Sequence, residues 1–372
     1  MRLGGGIFRT GFARGVVFAL FTATALIGAA TPSPAADPAT DHLYAIVRTP
    51  DGGLEVVSGV PALVAQADAA LGRDTGEVVA MGQSQEVHAL GDPRRWEQWA
   101  LDRTSYEATW PNSSGFGITV AVVDSGVSAG HQDLVGKVLN GVDYAADEST
   151  YDPAGLGRVD PSGHGTHVAG IIAANYNNNV GVTGAAPNVK ILPVRVLSAG
   201  GGGSTAAVAA GIIWAADHGA RVINLSVGGP GADEGMHDAV KYAVSKKVVV
   251  VGAGGNNRLT TNYPVYPGAF PEAIAVASVD SNLNHSAFSV TGGQIDIAAP
   301  GVNVFSSWPM PTRYRRLQGT SMATPHVAGI AALYAEADPD ARGAALWRAL
   351  VGGARRLQIP AVDVGAGLVQ AP

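Results

Sequence analysis

The 372-residue chain has no cysteine, which excludes disulfides, catalysis by a thiol and zinc held by thiolates. Charge is scarce: Asp, Glu, Lys and Arg make up 15% of the residues, and the formal net charge is −6. No run of Lys or Arg forms a stripe able to follow a phosphate backbone, so nucleic acid is not an expected partner. Long apolar runs are missing as well. The longest candidate, residues 15–30, falls short of the ~20 residues that a membrane-spanning helix needs. Glycine is abundant, at 50 residues, but without the period of three that collagen requires. What remains is a chain with 47% hydrophobic residues, long enough to bury a large core in one large or two ordinary domains.

The N-terminus reads as an address. Arg2, Arg9 and Arg14 precede the apolar stretch, and TPSPAAD with its small residues follows, so residues 1–36 are expected to be a cleaved secretory signal and the mature protein extracellular. No stable membrane association is expected after that cleavage. Residues 37–91 form a small α+β unit: HLYAIVRTPDGGLEVVSG reads as two strands around a turn, PALVAQADAALG has helical spacing, and EVVAM reads as a third strand. A unit of this size is marginal as an independent core. Its tail, QSQEVHALGDPRR, is polar and suits a linker or a cleavable junction.

From residue 92 to 372 the pattern changes. GITVAVV, VKILPVRV, ARVINLS, KVVVVGA and EAIAVAS are near-continuous apolar runs, as strands covered on both faces should be. Between or after them lie helical stretches: THVAGIIAAN, TAAVAAGIIWAADHG, GMHDAVKYAVSKK, ATPHVAGIAALYAEA and ARGAALWRALVGG. This alternation predicts an α/β fold, a doubly wound and mostly parallel sheet with helices on both faces and the functional site at the carboxyl ends of the strands.

Three segments place reactive side chains at such ends: VAVVDSGV with Asp124, GHGTHVAG with His164 and GTSMATPHVAG with Ser321. A carboxylate that closes an apolar strand needs a hydrogen-bond donor to be tolerated, and a histidine can supply it. Ser321 opens a helix, where unpaired N–H groups and the positive end of the dipole favour an oxyanion. Taken singly, Asp124 could be a turn former and Ser321 a helix cap. The three blocks together resemble the signatures of the subtilisin family, in that family's Asp, His, Ser order, over about Gln98 to the C-terminus. The resemblance implies a serine endopeptidase in which Ser321 is the nucleophile, His164 the general base and acid, and Asp124 the group that orients the imidazole. His167 and His326, inside their helices, are expected to be structural.

The same resemblance implies further roles. GAGGNN would place Asn256 as the side-chain oxyanion donor, with the adjacent Asn257 as its rival. SAGGGGST and INLSVGGP would supply two edges that pair with substrate backbone, Gly201, Gly202 and Gly203 on one side and Ser226, Val227 and Gly228 on the other. Thr205 would leave the subsite four residues before the cut open, and Val265 and Tyr266 would lie near the base of the primary pocket, with an apolar or aromatic preference. Structural Ca2+ is the implied cofactor, held by Asp133, Asn178, Tyr176, Val180 and Val182 with Gln98 completing the shell, an all-oxygen set suited to that ion. Asp296 is a candidate for a weaker cation site, and no organic cofactor is implied. The partners implied are protein or peptide substrates and the chain's own propeptide, residues 37–91, removed by self-cleavage between Gln85 and Asp92. The enzyme is expected to act as a monomer. A silent binding scaffold and a processing peptidase with one target stand as the alternatives.

Overall fold

The computed structural model describes residues 91–145, 152 and 154–372, together with the backbone of three strands nearer the N-terminus. The chain divides into two compact units, Met1–His88 and Ala89–Pro372. In the first, β1 (Leu43–Arg48), β2 (Leu54–Ser58) and β3 (Glu77–Gln83) form an antiparallel sheet of order β2-β1-β3. The helix expected at residues 61–72, the signal sequence and most of the polar tail lie outside the described residues.

The second unit begins with two short helices, α1 (Trp99–Thr104) and α2 (Tyr106–Thr109), followed by β4 (Thr119–Asp124) and β5 (Val142–Asp143). Helices and strands then alternate: α3 (His164–Ala173), β6 (Lys190–Arg195), α4 (Thr205–Asp217), β7 (Val222–Leu225), α5 (Glu234–Ser245) and β8 (Val249–Ala253). After these come β9 (Ile274–Val279), β10 (Ile297–Pro300), the β11 (Val304–Ser307) and β12 (Tyr314–Leu317) hairpin, and α6 (Thr320–Ala337). Seven strands pair in parallel in the order β10-β9-β8-β7-β4-β6-β5.

Each strand serves two cores, because successive side chains point to opposite faces. Val120 and Val122 of β4 pack with α3 and α6 in one cluster, while Ala121 and Val123 pack with α4 and α5 in the other. From β4 the chain goes out to β5 at the sheet edge and comes back to lay β6 between β5 and β4, then places β7 on the other side of β4. Strand order therefore reverses between β4 and β7, and the crevice at their carboxyl ends is where such sheets bind ligands. Asp124 ends β4 at that crevice, and Ser226 follows β7 there. Among the described residues no helix is long and apolar enough to cross a membrane.

Candidate active site

Asp124 is fully buried, and its Oδ1 accepts two hydrogen bonds, from the Ser125 N–H at 2.7 Å and from His164 Nδ1 at 2.7 Å. A carboxylate only accepts, so the proton of this contact sits on Nδ1, which leaves the Nε2 lone pair free to take a proton. Asp124 and His164 meet because α3 starts hard against the end of β4. A methyl built on Gly165 would fall 2.1 Å from the Gly126 carbonyl oxygen and 3.2 Å from Asp124 Cβ, so only glycine admits this approach. Burial alone would lower the His164 pKa, but the charge and hydrogen bond of Asp124, with the charge of Asp160, raise it above the ordinary 6.5.

Asp160 is a residue that motif reading did not single out. Buried beside the His164 turn, its carboxylate accepts from Gly163 N–H at 2.7 Å, from Thr166 N–H at 2.7 Å and Oγ1 at 2.6 Å, and from Ser125 Oγ at 2.8 Å. Ser125 Oγ in turn accepts from Gly165 N–H at 3.0 Å. The start of α3 is thus clamped from both sides of His164. His167 and His326 sit apart from this network, fully enclosed, with burial pushing the pKa of each down to about 3. His167 Nε2 donates to the Arg315 carbonyl at 3.0 Å, and His326 Nδ1 meets the Tyr106 hydroxyl at 2.5 Å.

Ser321 lies in the first turn of α6, and the local sequence fixes it there through a missing hydrogen bond. Pro325 has no N–H to give to the Ser321 carbonyl. Ser226 Oγ takes up the freed acceptor at 2.8 Å and is itself held by Asn224 Nδ2 at 2.9 Å. The two adjacent asparagines differ in their contacts with the same helix. Asn256 Oδ1 accepts from Thr320 N–H at 2.8 Å and Thr320 Oγ1 at 3.1 Å, which turns its amide nitrogen away. A methyl on Gly319 would lie 3.2 Å from Asn256 Nδ2 and 3.7 Å from Ser321 N, so both donors border the space beside Gly319. Asn257 instead closes its own loop, donating to Thr261 Oγ1 at 2.7 Å and Tyr263 O at 3.2 Å.

His164 and Ser321 line one cleft of about 630 Å3. Gly201, Gly202, Gly203, Ser226, Val227 and Gly228 line it too, so the two segments named as substrate edges face the same space as the reactive pair. Thr205, Val208 and Met236 are among its other lining residues. Tyr266 reaches the cleft as well, and Tyr266 N–H and C=O both pair with Gly229, at 2.8 and 2.9 Å. Val265 packs between the two glycines that flank this region: methyls on Gly228 and Gly255 would lie 2.6 and 2.5 Å from its side chain.

The residues named for calcium fall into two groups. Asp133 is fully buried; its Oδ1 receives Asn178 Nδ2 at 3.3 Å and its Oδ2 the Val182 N–H at 3.1 Å. Gln98 pairs through both ends of its amide with the Thr183 backbone, at 2.7 and 2.9 Å, and the Tyr176 ring is exposed against Trp110. Val180 N–H donates to Asn178 Oδ1 at 3.0 Å. Asp92 joins this loop without having been read from the sequence. Its carboxylate accepts from Asn177 and Asn178 N–H at 2.9 and 3.0 Å. Burial, with the charge of Asp133 adding to it, raises the Asp92 pKa against those two hydrogen bonds. Two carboxylates raised by burial and facing one Asn-rich loop are a donor set that fits a hard cation. No group of three or more His, Cys, Asp or Glu that could hold a metal gathers among the described residues, so a shell here would need amide, main-chain or water oxygens beside the two carboxylates. Asp296 stands elsewhere, accepting from Ala275 N–H at 2.8 Å and raised by burial to about 6.

Comparison with known proteins bears on this arrangement. Residues 115–368 match the model of the subtilase family, peptidase S8. Thermitase of Thermoactinomyces vulgaris is 47% identical over 238 residues, 64% of this chain and 82% of that protein. Subtilisin DY of Bacillus licheniformis is 43% identical over 221 residues, 59% of this chain and 77% of that protein. Among solved structures, a protease from Pseudoalteromonas arctica superposes with a TM-score of 0.68 at 34% identity, over 75% of this chain and 96% of its own.

Proposed function

The chain belongs to the subtilase family and is a serine endopeptidase, and from that premise we propose that Asp124, His164 and Ser321 are its catalytic triad. The observation that carries this reading is the Asp124–His164 hydrogen bond at the edge of the cleft that Ser321 also lines. Ser321 Oγ attacks the scissile carbonyl carbon while His164 Nε2 takes its proton, and the Asp124 carboxylate stabilises the imidazolium so formed. Asn256 Nδ2 and the Ser321 N–H donate to the oxyanion of the tetrahedral intermediate. Collapse breaks the C–N bond, and His164 hands its proton to the leaving amine. Water then enters by the same steps in reverse and releases the acyl group from Ser321. A fluorophosphonate should label Ser321 and stop hydrolysis of a protein substrate. Because His164 must be neutral to act as base, the labelling rate should fall as pH drops through its raised pKa, with the midpoint above 6.5. A failure to label, or a midpoint below 6.5, refutes the assignment.

Asn256 offers a second measurement. Substituting Leu removes the amide donor while keeping the volume, and kcat should fall by about two to three orders of magnitude with KM little changed, the size known for the corresponding donor of subtilisin. A change in KM alone would move Asn256 to substrate binding.

Gly201–Gly203 and Ser226–Gly228 are read as the strands between which substrate backbone lies, and main-chain recognition of this kind favours breadth of substrate. Calcium is read at Asp133 and the loop carrying Asn178, with Asp92 as a further carboxylate and the carbonyls of Tyr176, Val180 and Val182 as oxygen donors. When bound, the ion would tie that loop to the N-terminal segment and to the turn after β4. Chelation should then lower the Tm by about 5–10 °C, the effect of losing an ion present at about 100 times its Kd. Asp133→Asn should abolish the difference between chelated and calcium-loaded protein; equal Tm values for the wild type in both states would remove calcium from the account.

Residues 1–36 are read as a secretory signal and residues 37–91 as a propeptide cut away by this same triad. The basic start and apolar stretch support the first. The division between the chain's compact units, at His88/Ala89, falls within the polar stretch proposed for the cut.

A further inference from the structure

The β11–β12 hairpin concentrates positive charge on a protein whose net charge is −6. Arg313, Arg315 and Arg316 are all exposed. Arg316 binds Glu97 at 2.6 Å and lies over the Phe305 ring at 4.9 Å, and Arg94 uses the same carboxylate at 2.6 Å. One glutamate thus answers two guanidinium groups. Arg313 turns its Nε to Met310 Sδ at 3.3 Å. Arg315 has no carboxylate partner among the described residues; its guanidinium lies 4.7 Å from the centre of the Trp308 ring.

That stack is tied to the catalytic helix. Alternation along β12 sends Tyr314 and Arg316 toward Phe305 and sends Arg315 the other way, over Trp308. The Trp308 indole lies against Gly163, where a methyl would come within 2.4 Å of the ring. Gly163 separates Ser162 from His164, and both of these line the cleft. His167, in the same helix as His164, donates to the Arg315 carbonyl at 3.0 Å and meets Trp308 edge-on at 6.4 Å. At its other end the hairpin runs through Leu317 directly toward Ser321. The stack therefore adjoins the turn that presents His164.

It does so from outside the cleft already described, whose walls beyond the reactive pair come chiefly from Leu197, Gly201–Thr205, Ser226–Gly231 and Tyr266 and include no hairpin residue. A substrate whose acyl half fills that cleft must leave the His164–Ser321 pair on another side. We propose that Arg315, held by Trp308, binds a carboxylate in the leaving half of the substrate, so that the enzyme favours peptides with Glu or Asp within the first few residues after the scissile bond. The inference rests on the triad reading above. The chemistry suits it: the indole covers one face of the guanidinium, and the in-plane N–H donors stay free for a carboxylate, which a lysine ammonium could not match in geometry.

The test uses mature enzyme and peptides that share one acyl half and carry Glu, Gln or Lys at each of the first three leaving-side positions in turn. At the favoured position kcat/KM for Glu should exceed that for Gln by about three- to fivefold, the range of a partly exposed ion pair, with Lys poorest. The ratio should approach one in 1 M salt, where the Debye length is about 3 Å. Arg315→Gln should remove the preference, and Arg315→Glu should turn it toward Lys. Because each ratio is taken within one preparation, the fraction of folded enzyme cancels. A Glu/Gln ratio near one at all three positions in the wild type, or an unchanged ratio in Arg315→Gln, overturns the proposal while cleavage of the Gln peptide leaves the endopeptidase reading standing. If none of the peptides is cut, both readings fall together.

Discussion

Ser321→Ala should lower kcat by about a millionfold, the size known for loss of the nucleophile in subtilisin, with residual turnover of about a thousandfold over water from the oxyanion donors and binding alone. The substitution deletes one oxygen. It leaves in place the contacts that position this turn, since these run through the Ser321 carbonyl to Ser226 and through Thr320 to Asn256. Stability should therefore be preserved, and KM for a peptide should stay within a fewfold of the wild type. The same variant tests maturation. If residues 37–91 are removed by the enzyme itself, the variant purified from a host lacking other proteases should keep them, and the mass of the intact chain reports this directly. Normal trimming in that host would disprove self-processing, and turnover within tenfold of the wild type would remove Ser321 as nucleophile.

The parts legible in the sequence were those whose cause is local. Strands covered on both faces must be apolar throughout, so β4, β6, β7, β8 and β9 could be read as runs, and each of these lies within a residue or two of its expected place. β10 is a short run closed by Pro300, too brief to stand out. The β11–β12 hairpin escaped because β12 is a surface strand carrying arginines, with no apolar period to betray it. Among site residues, Asp124, His164 and Ser321 sit in long motifs. Asp160 and Asp92 are single carboxylates in polar loops, and what gives them meaning is distant in sequence: Ser125 for the one, Asn177 and Asn178 for the other. The choice between Asn256 and Asn257 likewise depends on Thr320, which the fold alone brings alongside.

Asp124→Asn should cost about ten-thousandfold in kcat, a smaller loss than that of the nucleophile and one with a different physical origin. In the wild type Oδ1 holds both the Ser125 N–H and the His164 Nδ1–H, while Oδ2 is buried with no hydrogen-bond partner among the described residues. An asparagine can keep its oxygen at the Oδ1 position only by placing an NH2 group where no acceptor waits, at a cost of about 1–3 kcal/mol. If the amide turns over, its N–H groups face the Ser125 N–H, and the imidazole can keep a hydrogen bond only by accepting at Nδ1. The proton then moves to Nε2, and His164 loses the lone pair that should take the Ser321 proton. Either arrangement also removes the charge that raises the His164 pKa, so the remaining activity should show its acid limb at lower pH than the wild type. Stability should change in the matching sense. A histidine whose folded pKa is raised contributes stability that is complete below 6.5 and fades as pH climbs through the folded pKa, so the variant should lose this contribution in acid and not in alkali. An acid limb that stays where the wild type has it would mean that Asp124 does not set the charge of His164, and its place in the triad would have to be given up.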